Sequence, residues 1–162
     1  MKRVIIFGNS GAGKSTLAKS LANIDQLAHF DLDSIAWLPT SPPQRKPVEQ
    51  SKADIDAFMA ENDQWVIEGC YSDLLELLFT KASEIIFLDL PIDQCITNAR
   101  ARPWEPHKYE SKQAQDENLD MLLAWISDYE GRSDTFSRSS HQDLFRRFAG
   151  KKTRYTHNVG NR

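Results

Sequence analysis

The chain has 162 residues, a mass of 18.5 kDa and a formal net charge of −3. At about 100–200 residues per domain, this length predicts a single domain over residues 1–162. The 40% of hydrophobic residues excludes a disordered chain, and apolar runs far shorter than the roughly 18 residues of a membrane-spanning helix exclude a membrane protein.

Apolar runs and amphipathic stretches alternate along the sequence. The run Val4-Ile5-Ile6-Phe7 is apolar at every position, which is typical of a strand buried on both faces of a parallel sheet. Strands are predicted over residues 4–7, 27–30, 65–67, 85–88 and 152–156. Helices are predicted over residues 15–22, 49–61, 73–79, 93–101, 113–129 and 141–148, with loops over residues 39–47 and 131–139. This alternation predicts βαβ units and therefore an α/β fold, with helices on both faces of a parallel sheet.

A glycine-rich motif, G-x-x-x-x-G-K-[ST], follows the first predicted strand and opens the first predicted helix. Glycines let such a loop turn its N–H groups inwards around phosphate oxygens, and the N-terminus of the helix adds positive potential. We expect Lys14 to bridge the β- and γ-phosphates of a nucleoside triphosphate, and Ser15 to bind Mg²⁺. The predicted nucleotide-binding residues are Gly8, Asn9, Ser10, Gly11, Ala12, Gly13, Lys14, Ser15 and Thr16.

The class of P-loop protein follows partly by exclusion. The sequence has no Asn-Lys-x-Asp motif of GTPases and no glutamine-containing signature of transporter ATPases, and it is short for an AAA+ module. In motif order it resembles small-molecule kinases of the adenylate-kinase and shikimate-kinase type. The segments from Glu68 to Tyr71 and from Leu32 to Pro39 look closer to uncharacterised bacterial P-loop proteins, of the kinase-like or topology-modulation type. The expected fold is a three-layer P-loop NTPase fold with a five-stranded sheet in the order 2-3-1-4-5.

The resemblance implies roles for three acidic residues. Asp31-Leu32-Asp33 looks like the Asp-x-Asp of shikimate kinases, with Asp31 on the metal side and Asp33 oriented towards the acceptor hydroxyl. Alternatively, one of the two aspartates caps the following helix. Glu68 stands where nucleotide kinases carry an aspartate that serves Mg²⁺ through water. The alternative for Glu68 is a buried carboxylate paired with a nearby cation.

The resemblance also implies a small lid over about residues 102–118. Arg102, before Pro103, resembles the lid Arg-Pro of shikimate kinases, and Arg100 is the second candidate for the transferred phosphoryl group. Lys108 and Lys112 are weaker candidates for the same lid. His157-Asn158 follows the fifth predicted strand, and in the resembled fold the loop after that strand stacks against adenine. The chain ends soon after, without the final helix of most relatives, so we expect that pocket to be incomplete or completed by another chain.

The acceptor is not predicted residue by residue. Arginines that hold a carboxylate near the third strand of shikimate kinases have no counterpart between Gln50 and Lys81. Arg45 and Lys46 could bind an anionic acceptor, or they could simply be solvated. The expected function is therefore Mg-ATP-dependent phosphoryl transfer to an unidentified small molecule.

Two alternatives stay open beside the kinase. The first is an ATP-binding switch or slow ATPase acting on a protein or DNA partner, which would show an exposed apolar patch instead of a cleft lined by Asp33, Glu68 and Arg102. The second is a kinase of nucleic-acid ends, which the acidic balance disfavours because nucleic-acid-binding proteins usually carry a basic face. We expect a monomer or a homodimer. Two cysteines without a CxxC pair suit the cytoplasm.

Overall fold

The structure is a computed structural model that describes residues 1–159. Residues 160–162, the end of the predicted domain, lie outside the described residues. The strands are β1 (Arg3–Gly8), β2 (Ala28–Asp31), β3 (Trp37–Leu38), β4 (Gln44–Arg45), β5 (Trp65–Gly69), β6 (Glu84–Leu88) and β7 (Lys151–Tyr155). The helices are α1 (Lys14–Asp25), α2 (Val48–Glu61), α3 (Ser72–Leu75), α4 (Ile92–Arg100), α5 (Lys112–Ser127) and α6 (Arg138–Arg147), with short 3-10 helices at Leu32–Ser34 and Glu76–Leu78.

Five strands form one parallel sheet in the order β2-β5-β1-β6-β7. Without the two hairpin strands β3 and β4, this is the predicted order 2-3-1-4-5. The P-loop strand β1 lies in the middle, with Ile6 beside Glu68 of β5 and Ile86 of β6. The carboxyl ends of all five strands point to one edge of the sheet, which is where ligands bind in open α/β folds.

The sheet separates two hydrophobic clusters, because neighbouring side chains of a strand point to opposite faces. Ile5 and Phe7 of β1 pack into one cluster, together with Trp65 of β5. Val4 and Ile6 pack into the other cluster, against α1 and α4. The uniformly apolar run of β1 is therefore fully buried, as the sequence predicted.

Two local predictions were wrong. The predicted loop over residues 39–47 contains β4, which pairs antiparallel with β3 and places Trp37 beside Arg45. The predicted helix over residues 73–79 is a single α-turn followed by a 3-10 turn. The last helix begins three residues early, at Arg138, because the Ser137 hydroxyl accepts a hydrogen bond from the Ser140 amide and caps it.

Within residues 1–159, no helix is long and apolar enough to cross a membrane.

Candidate active site

The P-loop runs between β1 and α1 and packs closely against α4. Gly11 has a φ of 79°, and a Cβ there would lie 2.4 Å from the carbonyl oxygen of Cys95. Gly13 has a φ of 89° but open space where its Cβ would be. Gly11 is thus required by both backbone conformation and close approach, whereas Gly13 is required by backbone conformation alone.

Polar contacts from outside the loop hold its shape. The buried side chain of Asn9 accepts a hydrogen bond from the Ser10 amide and donates one to the carbonyl of Ile126. Asn98 of α4 donates to the carbonyl of Gly11 at 2.8 Å. The Lys14 ammonium donates to the Asn9 carbonyl at 2.8 Å, so it lies folded over the loop. Asn9 therefore supports the loop from behind, while the segment from Ser10 to Thr16 faces the cavity.

Ser15 and Glu68 meet at the start of α1 and the end of β5. The Ser15 hydroxyl donates to Glu68 Oε1 at 2.8 Å, and His29 Nε2 lies 2.8 Å from Glu68 Oε2. Glu68 is only 2% exposed. Both oxygens of its carboxylate are therefore fixed, one by a loop residue and one by a residue of β2.

Asp31 accepts a hydrogen bond from the Asp33 amide and so caps the 3-10 helix Leu32–Ser34. The capping alternative thus holds for Asp31, although its side chain also lines the cavity. Burial raises the pKa of Asp31, and the negative charges of Asp33 and Glu68 raise it further. A cation placed among these three carboxylates would relieve that repulsion.

Asp33 lies beyond Asp31 and is held by two side chains far away in the sequence. The Tyr71 hydroxyl donates to Asp33 Oδ1, and the Lys108 ammonium lies 3.1 Å from Oδ2. Burial raises the pKa of Asp33, but the charge of Lys108, the hydrogen bond from Tyr71 and the charge of Lys14 outweigh it and lower the pKa overall. Asp33 is therefore held as a carboxylate.

Tyr71 joins this carboxylate to the β3–β4 hairpin. Its hydroxyl accepts a hydrogen bond from Trp37 Nε1 at 2.8 Å, and its ring lies 4.9 Å from the Arg45 guanidinium. Tyr71 is buried, and burial raises the pKa of its hydroxyl, so this group stays protonated and donates to Asp33. Tyr71 was not among the site residues predicted from the sequence. Its place two residues after the end of β5 is the signal that could have found it.

The segment between α4 and α5 carries the lid candidates. Arg102 and Lys108 line the cavity, and Glu105 pairs with both, at 3.2 Å and 3.5 Å. Arg100 is exposed at the end of α4 and is not among the described residues that line the cavity. Lys112 pairs with Asp116 on the surface of α5. Of the four predicted lid cations, the fold brings two to the cleft.

Three other predicted ligand contacts lie elsewhere. Arg45 pairs with Asp73 and Lys46 with Asp54, so neither is a free cation for an anionic acceptor. His157 lies exposed with its ring edge towards Tyr155. Asn158, the other residue named in the predicted adenine loop, lines the cavity together with Val159.

A single cavity of about 790 Å³ unites these groups. Its lining includes the P-loop from Ser10 to Thr16, the carboxylates of Asp31, Asp33 and Glu68, and the lid residues Arg102 and Lys108. This is the cleft that the kinase hypothesis requires. Within residues 1–159 no group of three or more His, Cys, Asp or Glu side chains is placed to hold a metal ion.

The fold and this cleft define a P-loop nucleotide-binding protein with a kinase-like arrangement of strands. A family model described as an AAA domain matches residues 4–120, and the chain belongs to that family. The expectation that the chain is too short for an AAA+ module was therefore wrong, because an AAA domain model matches most of it.

Individual proteins similar to this chain include one curated relative and two solved structures. The chain is 26% identical over 144 residues to uncharacterized protein YqaC of Bacillus subtilis (strain 168), which covers 87% of this chain and 80% of that protein. Among solved structures, a shikimate kinase from Bacteroides thetaiotaomicron is similar with a TM-score of 0.53 at 16% identity, over 97% of this chain and 86% of the kinase. A shikimate kinase from Acinetobacter baumannii in complex with shikimate gives a TM-score of 0.43 at 13% identity, over 89% and 91% of the two chains. The likeness to the Bacteroides enzyme is one of fold.

Proposed function

We propose that this protein transfers the γ-phosphoryl group of Mg-ATP to a hydroxyl or phosphate oxygen of a small molecule. The observation that carries the proposal is the shared cleft, which is lined both by the phosphate-binding loop and by the Asp33 carboxylate. A nucleotide switch needs the loop but has no use for an oriented carboxylate in the same cleft. The Bacteroides neighbour is a shikimate kinase, which supports the reaction type but does not identify the acceptor.

The transfer to a hydroxyl can be written with these residues. The acceptor oxygen attacks the γ-phosphorus, and the bond from that phosphorus to the β,γ-bridging oxygen breaks. The electron pair of the broken bond stays on the β-phosphate of ADP. The acceptor proton passes to Asp33, whose lowered pKa keeps it ionised and able to accept a hydrogen bond from the hydroxyl beforehand. Asp33 then releases the proton to solvent.

Cations of this chain would stabilise the charge that spreads over the transferred group. Lys14 lies at the mouth of the loop and can turn from the Asn9 carbonyl to the phosphates. Arg102 reaches the same cavity from the lid, and a guanidinium matches two phosphoryl oxygens at once.

The residues present also fit Mg²⁺. This ion prefers oxygen ligands and is usually held by one or two carboxylates together with substrate phosphates and water. Ser15 offers a hydroxyl, and Glu68 and Asp31 offer carboxylates whose mutual repulsion a divalent cation would reduce. When bound, the ion would neutralise charge on the β- and γ-phosphates.

The test is ADP release from Mg-ATP with a panel of hydroxyl compounds and nucleoside monophosphates, for the wild type, Lys14→Ala and Asp33→Asn. We expect one acceptor to raise turnover well above the rate without acceptor, and both substitutions to abolish that rise. If ATP binds but no acceptor raises turnover and Asp33→Asn has no effect, the kinase proposal falls. The ATP-binding switch then becomes the better hypothesis.

A further inference from the structure

Lys108 occupies a position on Asp33 that the proposed reaction needs for the acceptor. Its ammonium lies 3.1 Å from Asp33 Oδ2 and 3.5 Å from Glu105 Oε2, and 28% of its side chain is exposed. The pair joins residues 75 positions apart and links the lid to the end of β2. It therefore closes the acceptor side of the cleft.

The two oxygens of Asp33 are not equivalent. Oδ1 accepts a hydrogen bond from Tyr71, whose ring is only 2% exposed and whose hydroxyl is also held by Trp37. Oδ2 is held by the ammonium of Lys108, which lies at the end of four flexible methylene groups. An incoming hydroxyl can displace the lysine at a small cost but cannot displace the buried tyrosine. The acceptor would therefore bind at Oδ2.

We propose that Lys108 is a further catalytic residue, which leaves Asp33 Oδ2 when the acceptor hydroxyl takes that oxygen and then contacts the transferred phosphoryl group. This inference rests on the proposed kinase function. It assigns the order of events in the cleft, because the acceptor itself releases the second lid cation. A nucleotide bound without acceptor would leave Lys108 on Asp33, so attack by water would receive less help.

The surroundings of Lys108 suit such an exchange. Lys108 lines the same cavity as Lys14 and Arg102, so its ammonium needs only to swing within one cleft. Glu105 lies beside both Lys108 and Arg102 and offsets part of the charge of these two cations. Burial lowers the pKa of Lys108, but the charges of Asp33, Asp31 and Glu105 outweigh this and raise it, so the side chain arrives as a cation.

The backbone of the lid segment around Lys108 is held by several hydrogen bonds. The Lys108 and Tyr109 amides both donate to the Glu105 carbonyl, and the Trp104 indole donates to the Tyr109 carbonyl at 3.0 Å. Gln115 of α5 bonds the Glu105 amide and the Pro103 carbonyl. The turn around Lys108 is thus fixed to α5, while its ion pair with Asp33 reaches across the cleft.

The test compares Lys108→Met with Lys112→Met, a matched control in which the lost lysine faces solvent and pairs with Asp116. With the acceptor found by the panel, Lys108→Met should lower kcat about 100-fold or more, the usual effect of removing one donor to transition-state charge. The KM for the acceptor should stay the same or fall, because no lysine has to be displaced. A merely structural role would raise KM instead. Lys112→Met should match the wild type.

A second measurement needs no turnover. Hydrogen exchange of lid amides over residues 102–110 in the free protein should be about two- to five-fold faster in Lys108→Met, as expected from losing one partly exposed ion pair. Lys112→Met should leave it unchanged. If Lys108→Met keeps the turnover of the wild type, or if hydrogen exchange of the lid amides does not change, the inference about Lys108 is overturned but the kinase proposal stands. No acceptor-dependent turnover in the wild type overturns the kinase proposal, and with it the phosphoryl contact of Lys108.

Discussion

The Ser15 hydroxyl of α1 and the Glu68 carboxylate of β5 are joined by a hydrogen bond of 2.8 Å. The bond links the first turn of α1 to the end of the neighbouring strand. It places a carboxylate directly beside the hydroxyl that the P-loop motif assigns to a divalent cation. The pair is therefore the part of the cleft where Mg²⁺ dependence should reside.

Removing the charge of Glu68 tests this assignment. Glu68→Gln keeps the size of the side chain, and we expect it to weaken Mg-nucleotide binding by about 10- to 100-fold, the usual effect of losing a group that supports a metal ligand. The measurement is calorimetric titration with a non-hydrolysable ATP analogue in Mg²⁺ and again in EDTA. Affinity in EDTA should be the same for variant and wild type. Equal affinity in Mg²⁺ as well would remove Glu68 from the cation site.

The two glycines of the P-loop should respond differently to alanine. At Gly13 the new Cβ meets no atom, so Gly13→Ala costs only the left-handed backbone strain of about 1–2 kcal/mol. At Gly11 the Cβ would also collide with the Cys95 carbonyl oxygen, so the loop must move away from α4. We expect Gly11→Ala to lose nucleotide binding and to unfold at clearly lower urea concentration than Gly13→Ala. Similar behaviour of the two variants would contradict the close approach of the loop to α4.

Asp89 should stabilise the fold in a pH-dependent way. Its side chain is 2% exposed and accepts hydrogen bonds from Arg138 of α6 and Arg154 of β7. Burial raises the pKa of Asp89, but the two arginines outweigh it and lower the pKa below its usual 3.8. The stabilisation is therefore present above about pH 3.8 and is lost as the pH falls through the lowered pKa.

Asp89→Asn should accordingly reduce the free energy of unfolding by about 2–3 kcal/mol at neutral pH. Urea denaturation at several pH values measures this loss, which should shrink below about pH 3.8. Asp120→Asn, on the exposed face of α5, is the control and should change stability by less than about 0.5 kcal/mol. A loss at neutral pH no larger than that of the control would exclude the ion pairs as a source of stability.

His141 should make the protein sensitive to mild acid. Its Nε2 donates to the Cys70 carbonyl, so in the neutral ring Nδ1 accepts from the Tyr129 hydroxyl. Burial lowers the pKa of His141 to about 4, from 6.5 for a free histidine. Between pH 6.5 and 4, His141 is therefore protonated in the unfolded chain but stays neutral in the folded protein. The free energy of unfolding consequently falls as the pH falls through this range.

The difference of about 2.5 pH units corresponds to roughly 3 kcal/mol between pH 7 and pH 4. His141→Gln cannot be protonated, so its stability relative to the wild type should improve by that amount over the same range. His107→Gln, at a side chain that is 62% exposed, serves as control. NMR titration of the His141 ring gives an independent value, and a pKa near 6.5 would contradict the prediction.

The elements that the sequence predicts well are those with local signals. Four apolar residues in a row can only be satisfied by burial on both faces, and this places β1 at the centre of the sheet. The P-loop glycines likewise carry their own backbone requirement. The strand order, by contrast, was predicted from the resemblance to small-molecule kinases and is confirmed by the sheet.

The partners of Asp33 had no local signal. Tyr71 and Lys108 lie 38 and 75 residues away from it in sequence, so only the folded chain shows that they share one carboxylate. The β3–β4 hairpin was not predicted for a similar reason. The prolines of residues 39–47 exclude a helix, but a ladder as short as β3–β4 leaves no alternating pattern to read. The charge of Arg45 suggested that it could bind an anionic acceptor. In the folded chain Arg45 instead contacts the Tyr71 ring and pairs with Asp73, and neither contact can be predicted from the local sequence.

The last strand of the sheet has a consequence for how copies of the protein meet. β7 pairs with β6 on one side, and its other side forms an edge of the sheet. Lys151 and Lys152 are adjacent and exposed on this short strand, whereas Arg154 pairs with Asp89. A second molecule adding its own β7 there would bring like charges together, and lysines on edge strands are a common protection against such growth. The positive edge therefore guards the protein against aggregation through strand addition.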